Sequence, residues 1–239
     1  MSKNEKKVAI FDIDGTLFRG SFLIELVEAL IAKDIFPKKS RTIYEHHFKR
    51  WINREGSYEA YIEAVVEAFM KYLKGVSYKD FERVGLEVVE RNKNKVYCYT
   101  RDLVSRLKRK GYFLLAISQS PKGLLDAFCK RLGFDKVYGR FYELGTSDKF
   151  TGQVVDLHLI ANKGNIVRRA VAKEKLTLKG SYGIGDTEGD IPMLELVEHP
   201  ICFNPNATLY RYAKLNGWKV VVERKDVVYE MKYANNLNE

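Results

Sequence analysis

The spacing of apolar residues divides the chain into two kinds of segment. Lys7–Ile13 carries β-branched and aromatic side chains and predicts a first strand. From Ser21 to about Asn94 the spacing is helical, and between Tyr58 and Leu73 apolar residues recur at i, i+3, i+4 and i+7. The sequence therefore predicts one strand followed directly by a long helical segment.

Four helices are expected in this segment, and no strand pattern interrupts them. Their predicted bounds are Phe22–Ile31, Ser40–Ile52, Tyr58–Leu73 and Tyr78–Val89. Four helices of this length, over roughly eighty residues, form a small bundle.

After Val96 strands and helices alternate. The predicted helices are Arg101–Lys110, Lys122–Leu132, Asn165–Lys175, Ile191–Val197 and Thr208–Leu215. The predicted strands are Tyr112–Ser118, Lys136–Gly139, Gly180–Gly185, Pro200–Phe203 and a last strand, Trp218–Val222, and Phe141–Leu157 reads as a β-hairpin. This alternation indicates a parallel, doubly wound sheet.

The predicted fold class is therefore α/β. A Rossmann-like core with a parallel sheet is expected from residues 1–17 and 96–239, and an all-helical cap from residues 18–95, inserted directly after the first strand. Loops at the carboxyl ends of parallel strands carry active sites, so an insertion at this place is expected to form a lid.

Composition narrows the class of protein. Of the 239 residues 46% are hydrophobic and 13% aromatic, which is enough to bury a core and excludes a disordered chain. The sequence has no apolar run of membrane-spanning length, and its first apolar run, Val8–Phe11, is too short for a signal peptide. Cys98, Cys129 and Cys202 are scattered, so we expect reduced packing residues in a cytoplasmic protein rather than disulfides or a zinc site.

A formal net charge of +10 raises the hypothesis of nucleic-acid binding. The basic residues are nevertheless spread along the chain, and the densest cluster, Arg106–Lys110, resembles the end of a solvated helix, where the helix dipole favours cations. We therefore favour a small anionic substrate and consider nucleic acid the weaker alternative.

The first candidate site follows the first strand. Asp12 and Asp14 lie two residues apart at its carboxyl end, and two carboxylates so close repel each other unless a cation or a shared proton compensates them. Gly15 permits a tight turn that points backbone N–H groups at an anion.

The second candidate site is Gly185–Asp190, which also follows an apolar strand and precedes a helix. Helix capping explains part of the signal at Asp190, but not carboxylates at the ends of two strands. Oxygen-rich sites of this kind suit a hard cation, Mg²⁺, which also binds phosphate oxygens.

Two further positions provide what a phosphoryl group requires. Ser118 offers a hydroxyl at a strand end, and Lys163 offers a positive charge at the start of a helix. Each alone is more typical of an ordinary turn serine or surface lysine.

In order and context, four segments resemble the four motifs of the haloacid dehalogenase superfamily. They are Asp12-Ile-Asp-Gly-Thr, Ser118 at the end of Leu114-Leu-Ala-Ile-Ser, Lys163, and Gly185-Asp186 with Asp190. The helical insertion is similar to that of the phosphoserine phosphatase-like branch, subfamily IB. The likeness covers essentially the whole chain.

The resemblance implies a mechanism and a role for each motif. Asp12 is expected to attack phosphorus and form an aspartyl-phosphate, while Asp14 protonates the leaving oxygen and then deprotonates water. That second role needs a pKa above the roughly 3.9 of a free aspartate, which burial provides. The expected Mg²⁺ ligands are Asp12, Asp14 through its backbone carbonyl, Asp186, and Asp190 directly or from outside the coordination shell. The expected phosphate-binding residues are Ser118, Gln119, Lys163 and Gly15.

The substrate is expected to be a small phosphorylated metabolite. Phosphoserine phosphatases place a glutamate where this chain has Ser21 and an arginine where it has Glu67, so the charges that hold phosphoserine are absent. Arg19, Phe22 and Tyr58 are the specificity candidates instead, although a tyrosine on this helix is more typical of the bundle core. The alternatives are a phosphotransferase or mutase, a phosphoserine phosphatase proper, and a non-catalytic nucleic-acid-binding protein, which has no need of all six motif residues.

Overall fold

A computed structural model of the chain describes residues 5–155 and 162–231. Its strands are β1 (Lys6–Phe11), β2 (Phe113–Pro121), β3 (Lys136–Leu144), β4 (Phe150–Val155), β5 (Leu176–Gly185), β6 (His199–Phe203), β7 (Lys219–Arg224) and β8 (Val227–Met231). Its α-helices are α1 (Phe22–Ala32), α2 (Arg41–Ile52), α3 (Tyr58–Leu73), α4 (Tyr78–Asn92), α5 (Cys98–Arg109), α6 (Lys122–Leu132), α7 (Lys163–Glu174), α8 (Ile191–Leu194) and α9 (Ala207–Leu215).

The eight strands form one mostly parallel sheet in the order β4-β3-β2-β1-β5-β6-β7-β8. The six strands from β3 to β7 pair in parallel, and the edge strands β4 and β8 pair antiparallel with their neighbours. The α/β class and the parallel sheet are confirmed. The predicted hairpin is also present, because Phe141 pairs with Val155, whereas its last predicted residue, Leu157, lies outside the described part of the chain.

Several predicted elements are wrong in their number or bounds, among them the following three. Trp218–Val222 was expected to be the last strand, but β8 follows it, and its residues are mostly exposed and therefore show no burial pattern. The helix expected over Ile191–Val197 ends at Leu194. The strand expected from Gly180 begins at Leu176, because Leu176 and Thr177 already pair with β1. The register then shifts before Tyr182 pairs with Ala9, and Gly180, at φ +70°, lies in this irregular stretch.

The side chains of β1 point alternately to the two faces of the sheet. Ala9 and Phe11 belong to one buried apolar cluster, and Val8 and Ile10 belong to a second cluster on the opposite face. This period of two is the geometry of a strand that is covered on both sides. The sheet is therefore a central layer between two apolar layers.

The helices α1–α4 occupy the place of the expected cap. The chain enters this segment at Phe18 and leaves it at Val96, where these two residues form an antiparallel bridge. Apolar side chains of the four helices belong to the same buried cluster as Ala9 and Phe11. The division into a core (1–17 and 96–239) and a cap (18–95) stays a prediction.

The β3–β4 hairpin is joined to the helical segment by main-chain hydrogen bonds. Gly75 N–H donates to the Phe150 carbonyl (2.8 Å), and Phe150 N–H donates to the Val76 carbonyl (3.0 Å). Tyr78 N–H donates to the Asp148 carbonyl (2.8 Å). The turn between α3 and α4 is thus fixed to an element far along the chain.

Phe69 on α3 is the clearest test of packing in this segment. Its ring is fully buried between Phe36, Phe81 and Tyr142, with the Tyr142 centroid 5.2 Å away. We expect Phe69→Ala to lower the free energy of unfolding by about 3–5 kcal/mol, because it removes buried area and leaves a cavity. Phe48→Ala, at a residue that is 39% exposed, is the matched control and should cost about 1 kcal/mol or less. Chemical denaturation of both variants measures the difference, and equal losses would contradict the packing described.

Two expectations concern the packing of the cysteines and the absence of a membrane-spanning helix. Cys129 and Cys202 are free and buried, as packing residues should be, whereas Cys98 is free but exposed at the start of α5, so its expected packing role is wrong. Among the described residues no helix combines the length and apolarity needed to cross a membrane.

Candidate active site

The ends of two neighbouring strands bring the first carboxylates together. Asp12 directly follows β1 and Asp186 directly follows β5, and these strands pair in parallel, so their carboxyl ends share one edge of the sheet. The Asp12 N–H donates to the Ile184 carbonyl (2.9 Å), which extends the strand pairing up to the site.

Asp12, Asp186 and Asp190 converge around Lys163. One carboxylate oxygen from each aspartate lies within 4.8 Å of the others. The buried Lys163 Nζ lies 2.5 Å from Asp12 Oδ1 and 2.5 Å from Asp190 Oδ1. Four residues expected to act together are therefore in one cluster.

Burial makes the cluster unfavourable for so many negative charges. Burial raises the pKa of Asp12 to about 7, and the neighbouring carboxylates add to the rise while Lys163 opposes it. The pKa of Asp186 is raised well above its ordinary value for the same reasons. Burial alone would lower the pKa of Lys163, but its two carboxylate partners outweigh burial and keep it protonated. One lysine does not balance three carboxylates, so the cluster suits an additional cation.

Asp190 is fully buried and its oxygens already have partners. Oδ2 accepts hydrogen bonds from the N–H groups of Asp186 (2.9 Å) and Thr187 (3.0 Å), and Oδ1 pairs with Lys163. Thr187 and Asp190 form a capping box over the short 3₁₀ turn Glu188–Asp190. This bonding fits a residue that positions Lys163 and the Asp186 loop better than one that contacts a metal directly.

Two glycines allow these groups to approach so closely. Gly15 has φ +78°, and a Cβ built on it lies 2.0 Å from Asp186 Oδ2, whereas one on Gly185 lies 2.4 Å from Asp190 Cγ. The Gly15 N–H donates to the carbonyls of Phe18 and Gly20 (both 3.0 Å). The structure therefore does not support the expected phosphate contact at Gly15, because its amide is already used; the residue instead provides space for Asp186.

Asp14 is held by two donors on the other side of the site. Its Oδ1 accepts the Phe22 N–H (2.6 Å), and its Oδ2 accepts the Ser118 hydroxyl (2.6 Å). Burial raises the pKa of Asp14, and these hydrogen bonds reduce the rise without cancelling it. The direction is the one that a proton donor requires.

Phe22 contacts Asp14 through its backbone amide and not through its side chain. Its ring is fully buried and stacks on Phe18 with centroids 4.0 Å apart, so it cannot contact a substrate. The expectation that the Phe22 side chain contacts the substrate is therefore wrong, and its backbone amide contacts Asp14 instead.

Ser118 and Gln119 were both expected to bind phosphate. The buried Ser118 hydroxyl lies at the site, where it donates to Asp14 and accepts the Ser120 N–H (3.0 Å). The Gln119 side-chain oxygen accepts hydrogen bonds from the Arg140 guanidinium, including one of 2.8 Å from Nε. Phosphate binding by these two residues stays a prediction.

Thr16 makes contacts in the site that its sequence position alone does not predict. Its hydroxyl donates to Asp186 Oδ1 (3.2 Å), and its carbonyl accepts the Thr100 hydroxyl (2.9 Å). Thr16 is fully buried and thus ties the first motif to the last. The signal available in the sequence was the position of this hydroxyl residue, directly after Asp14 and Gly15.

The remaining specificity candidates lie at the helical segment. Arg19 is exposed and its guanidinium lies over the Tyr97 ring, 5.6 Å from the centroid. Tyr58 begins α3, is 37% exposed, and packs its ring against Trp51 with centroids 5.2 Å apart. Glu67 is exposed on α3, nine residues after Tyr58, which places it roughly 14 Å further along the helix.

Comparison with known proteins agrees with this geometry. A family model described as haloacid dehalogenase-like hydrolase matches residues 9–195. A putative hydrolase of Mycobacterium leprae is 29% identical over 89% of this chain and 71% of its own length. A phosphoserine phosphatase of Mycobacterium tuberculosis is 27% identical over 89% of this chain and 69% of its own. A histidinol-phosphatase of Neisseria meningitidis is 26% identical over 90% of this chain and 98% of its own.

Solved structures share the fold. A protein of unknown function from Bordetella pertussis superposes with a TM-score of 0.70 at 20% identity, over 91% of this chain and 98% of that one. A phospho-aspartyl intermediate analogue of phosphoserine phosphatase superposes with a TM-score of 0.61 at 20% identity, over 93% and 96% of the two chains. With the family model matching most of the chain and phosphatases among its relatives, the chain is an enzyme of the haloacid dehalogenase-like hydrolase family.

Proposed function

We propose that the chain is a magnesium-dependent phosphatase that hydrolyses a small phosphomonoester through an aspartyl-phosphate intermediate. The observation that carries this proposal is the convergence of three carboxylates and a lysine at the sheet edge, within 4.8 Å for the carboxylate oxygens. Asp14, the expected proton donor, is two residues from Asp12 and has a raised pKa.

The donor set fits a hard cation. Asp12 and Asp186 would hold Mg²⁺ with the backbone carbonyl of Asp14, whereas Asp190 is engaged with Lys163 and two backbone amides. When bound, the ion neutralises charge on the carboxylates and the phosphate oxygens.

In the first half-reaction the Asp12 carboxylate attacks phosphorus. A bond forms between its oxygen and phosphorus, the ester P–O bond breaks, and the leaving oxygen takes a proton from Asp14. Lys163 holds Asp12 in place through Oδ1 and offers positive charge to the phosphoryl oxygens.

In the second half-reaction Asp14 acts as a base. Its carboxylate takes a proton from water, the water oxygen bonds to phosphorus, and the bond between phosphorus and the Asp12 oxygen breaks. Inorganic phosphate leaves, Asp12 is a free carboxylate again, and Asp14 has regained its proton.

The proposed substrate is a small phosphorylated metabolite. The relatives named phosphoserine phosphatase and histidinol-phosphatase support this class, since both names refer to phosphate esters of small alcohols. This chain has Ser21 and Glu67 where phosphoserine phosphatases carry the charges that hold phosphoserine. We therefore propose that phosphoserine is not its preferred substrate.

Removal of divalent metal is expected to abolish activity, because the buried carboxylates then repel the phosphate dianion. The measurement is release of inorganic phosphate from an aryl phosphate before and after chelation, with activity restored by added Mg²⁺. Thermal melts of both samples are the control that the fold persists. Undiminished hydrolysis after chelation would contradict the proposal, and transfer of phosphate to an added alcohol without release would favour the phosphotransferase alternative.

A further inference from the structure

Thr100 lies in the first turn of α5, outside the motifs that carry the proposed chemistry. The residue is fully buried, and its hydroxyl donates to the backbone carbonyl of Thr16 (2.9 Å), 84 residues earlier in the chain. A buried hydroxyl is costly unless it forms a hydrogen bond, so this contact favours one position of the two segments. It joins a helix of the core to the turn that follows Asp14 and Gly15.

The bond fixes the peptide between Thr16 and Leu17 at both of its ends. The carbonyl of this peptide accepts from Thr100, and its N–H, that of Leu17, donates to the Ile13 carbonyl (2.9 Å). A peptide unit is planar, so two such bonds define the orientation of its plane. They also define where the Thr16 side chain leaves the backbone, and a β-branched side chain has few rotamers from that point.

The Thr16 side chain in turn holds Asp186. Its hydroxyl donates to Asp186 Oδ1 (3.2 Å), while Asp186 Oδ2 lies against Gly15, where a Cβ would be 2.0 Å away. Both oxygens of this carboxylate are therefore next to the turn formed by residues 15 and 16, and a shift of the turn moves them. Asp186 is one of the three aspartates whose oxygens lie within 4.8 Å of one another.

The start of α5 is itself anchored to the sheet. Glu223 on β7 accepts the N–H groups of Cys98 (3.0 Å) and Tyr99 (2.8 Å) with its two carboxylate oxygens. A carboxylate at a helix N-terminus pairs with amides that have no partner within the helix, and the helix dipole favours it. The Tyr97 N–H adds a second bond to the turn, through the Leu17 carbonyl (3.1 Å). The helix start is therefore a fixed support for this turn.

Building on the proposed magnesium-dependent phosphatase, we propose that Thr100 is a positioning residue for the metal site. It acts through Thr16, whose carbonyl accepts its hydrogen bond and whose hydroxyl orients the proposed ligand Asp186. Groups that hydrogen-bond directly to a metal ligand typically change metal affinity by about 10–100-fold when they are removed. Thr100 lies one hydrogen bond further from the ion, so the expected effect is smaller, about fivefold.

The test compares two substitutions at this position. Thr100→Val keeps the shape of the side chain and removes the hydroxyl, whereas Thr100→Ser keeps the hydroxyl and removes a buried methyl group. We expect Thr100→Val to raise the dissociation constant for Mg²⁺ about fivefold. Thr100→Ser should leave this constant within about twofold of wild type while lowering the melting temperature, because it creates a small cavity and keeps the hydrogen bond.

Ser40→Ala is the matched control in the helical segment. It removes another fully buried hydroxyl that donates to a backbone carbonyl, that of Pro37 (2.6 Å). It should lower the melting temperature and leave the Mg²⁺ dissociation constant unchanged.

The readouts separate binding of the ion from turnover. Isothermal titration calorimetry of chelator-treated protein with Mg²⁺ measures binding without substrate, and thermal melts show whether each variant is folded. Phosphate release from an aryl phosphate then gives kcat as a function of Mg²⁺ concentration. Saturating Mg²⁺ should restore kcat of Thr100→Val to within about twofold of wild type, because mass action compensates a weaker affinity.

The possible outcomes distinguish failure of this inference from failure of the proposed function. Equal Mg²⁺ dissociation constants in wild type and Thr100→Val overturn the positioning role, and so does an equal weakening in Ser40→Ala. A constant raised about fivefold in Thr100→Ser also overturns it, even if Thr100→Val does not fold, since serine keeps the hydroxyl. A wild type that binds no Mg²⁺, or that releases no phosphate from the aryl ester, overturns the proposed function itself.

Discussion

Replacing Asp12 with asparagine is expected to abolish turnover, with kcat lower by a factor of about 10⁴ or more. An amide is not a competent nucleophile toward phosphorus, whereas the carboxylate at this position is the proposed point of covalent attachment. Asparagine keeps the size of the side chain and an oxygen that can accept from Lys163, which lies 2.5 Å from Asp12 Oδ1. The loss should therefore be chemical and not structural.

Two measurements check this expectation. Phosphate release from an aryl phosphate gives the rate, and a thermal melt shows that the variant is folded. Acid-quenched enzyme exposed to phosphate-labelled substrate should retain label in wild type and none in Asp12→Asn. A variant that keeps a rate within tenfold of wild type would rule out the aspartyl-phosphate.

Replacing Asp14 with asparagine is expected to have an effect that depends on the leaving group. Alkyl alcohols leave poorly without a proton, so their hydrolysis should fall by about 10²–10⁴. Aryl alcohols leave as stable anions and should lose much less in the first half-reaction. Asparagine can still accept the Phe22 N–H through its one oxygen, and its NH2 group can donate to the Ser118 hydroxyl oxygen instead of accepting from it. Both partners lie 2.6 Å from the Asp14 oxygens, so the side chain can keep its place.

The ratio of alkyl to aryl rates is the measurement that isolates proton donation. Wild type and variant are compared on the same two esters, so each substrate serves as the control for the other. An equal loss on both would mean that Asp14 holds the site together and does not transfer the proton.

The predicted fold holds where burial leaves a periodic pattern in the sequence. The bounds of α3 follow from the spacing of its apolar residues, because the buried residues Tyr61, Val65 and Phe69 lie on one face. The strand β8 was missed because its residues are mostly exposed and its pairing with β7 is a backbone interaction. A periodic spacing of apolar residues reveals elements that pack against a core. An edge strand that is exposed to solvent lacks this spacing.

The site was predictable to the extent that strand ends determine it. Asp12 and Asp186 each follow a buried strand, and neighbouring parallel strands end at one edge. The partners of Asp14 could not be predicted, because Ser118 reaches it across 104 residues through the pairing of β1 with β2. The hydrogen bonds that the Gly15 amide donates within its own turn could not be predicted either, since they depend on the path of residues 15–20.

The main-chain bonds between the hairpin and the α3–α4 turn set an order of events during synthesis of the chain. The amides of Gly75 and Tyr78 need carbonyls from Phe150 and Asp148, which are made some seventy residues later, as a ribosome works from the N-terminus. The strand β1 can pair with one of its neighbours only later still, because that partner, β5, begins at Leu176. The α3–α4 turn therefore completes these hydrogen bonds only after more than half of the chain has emerged.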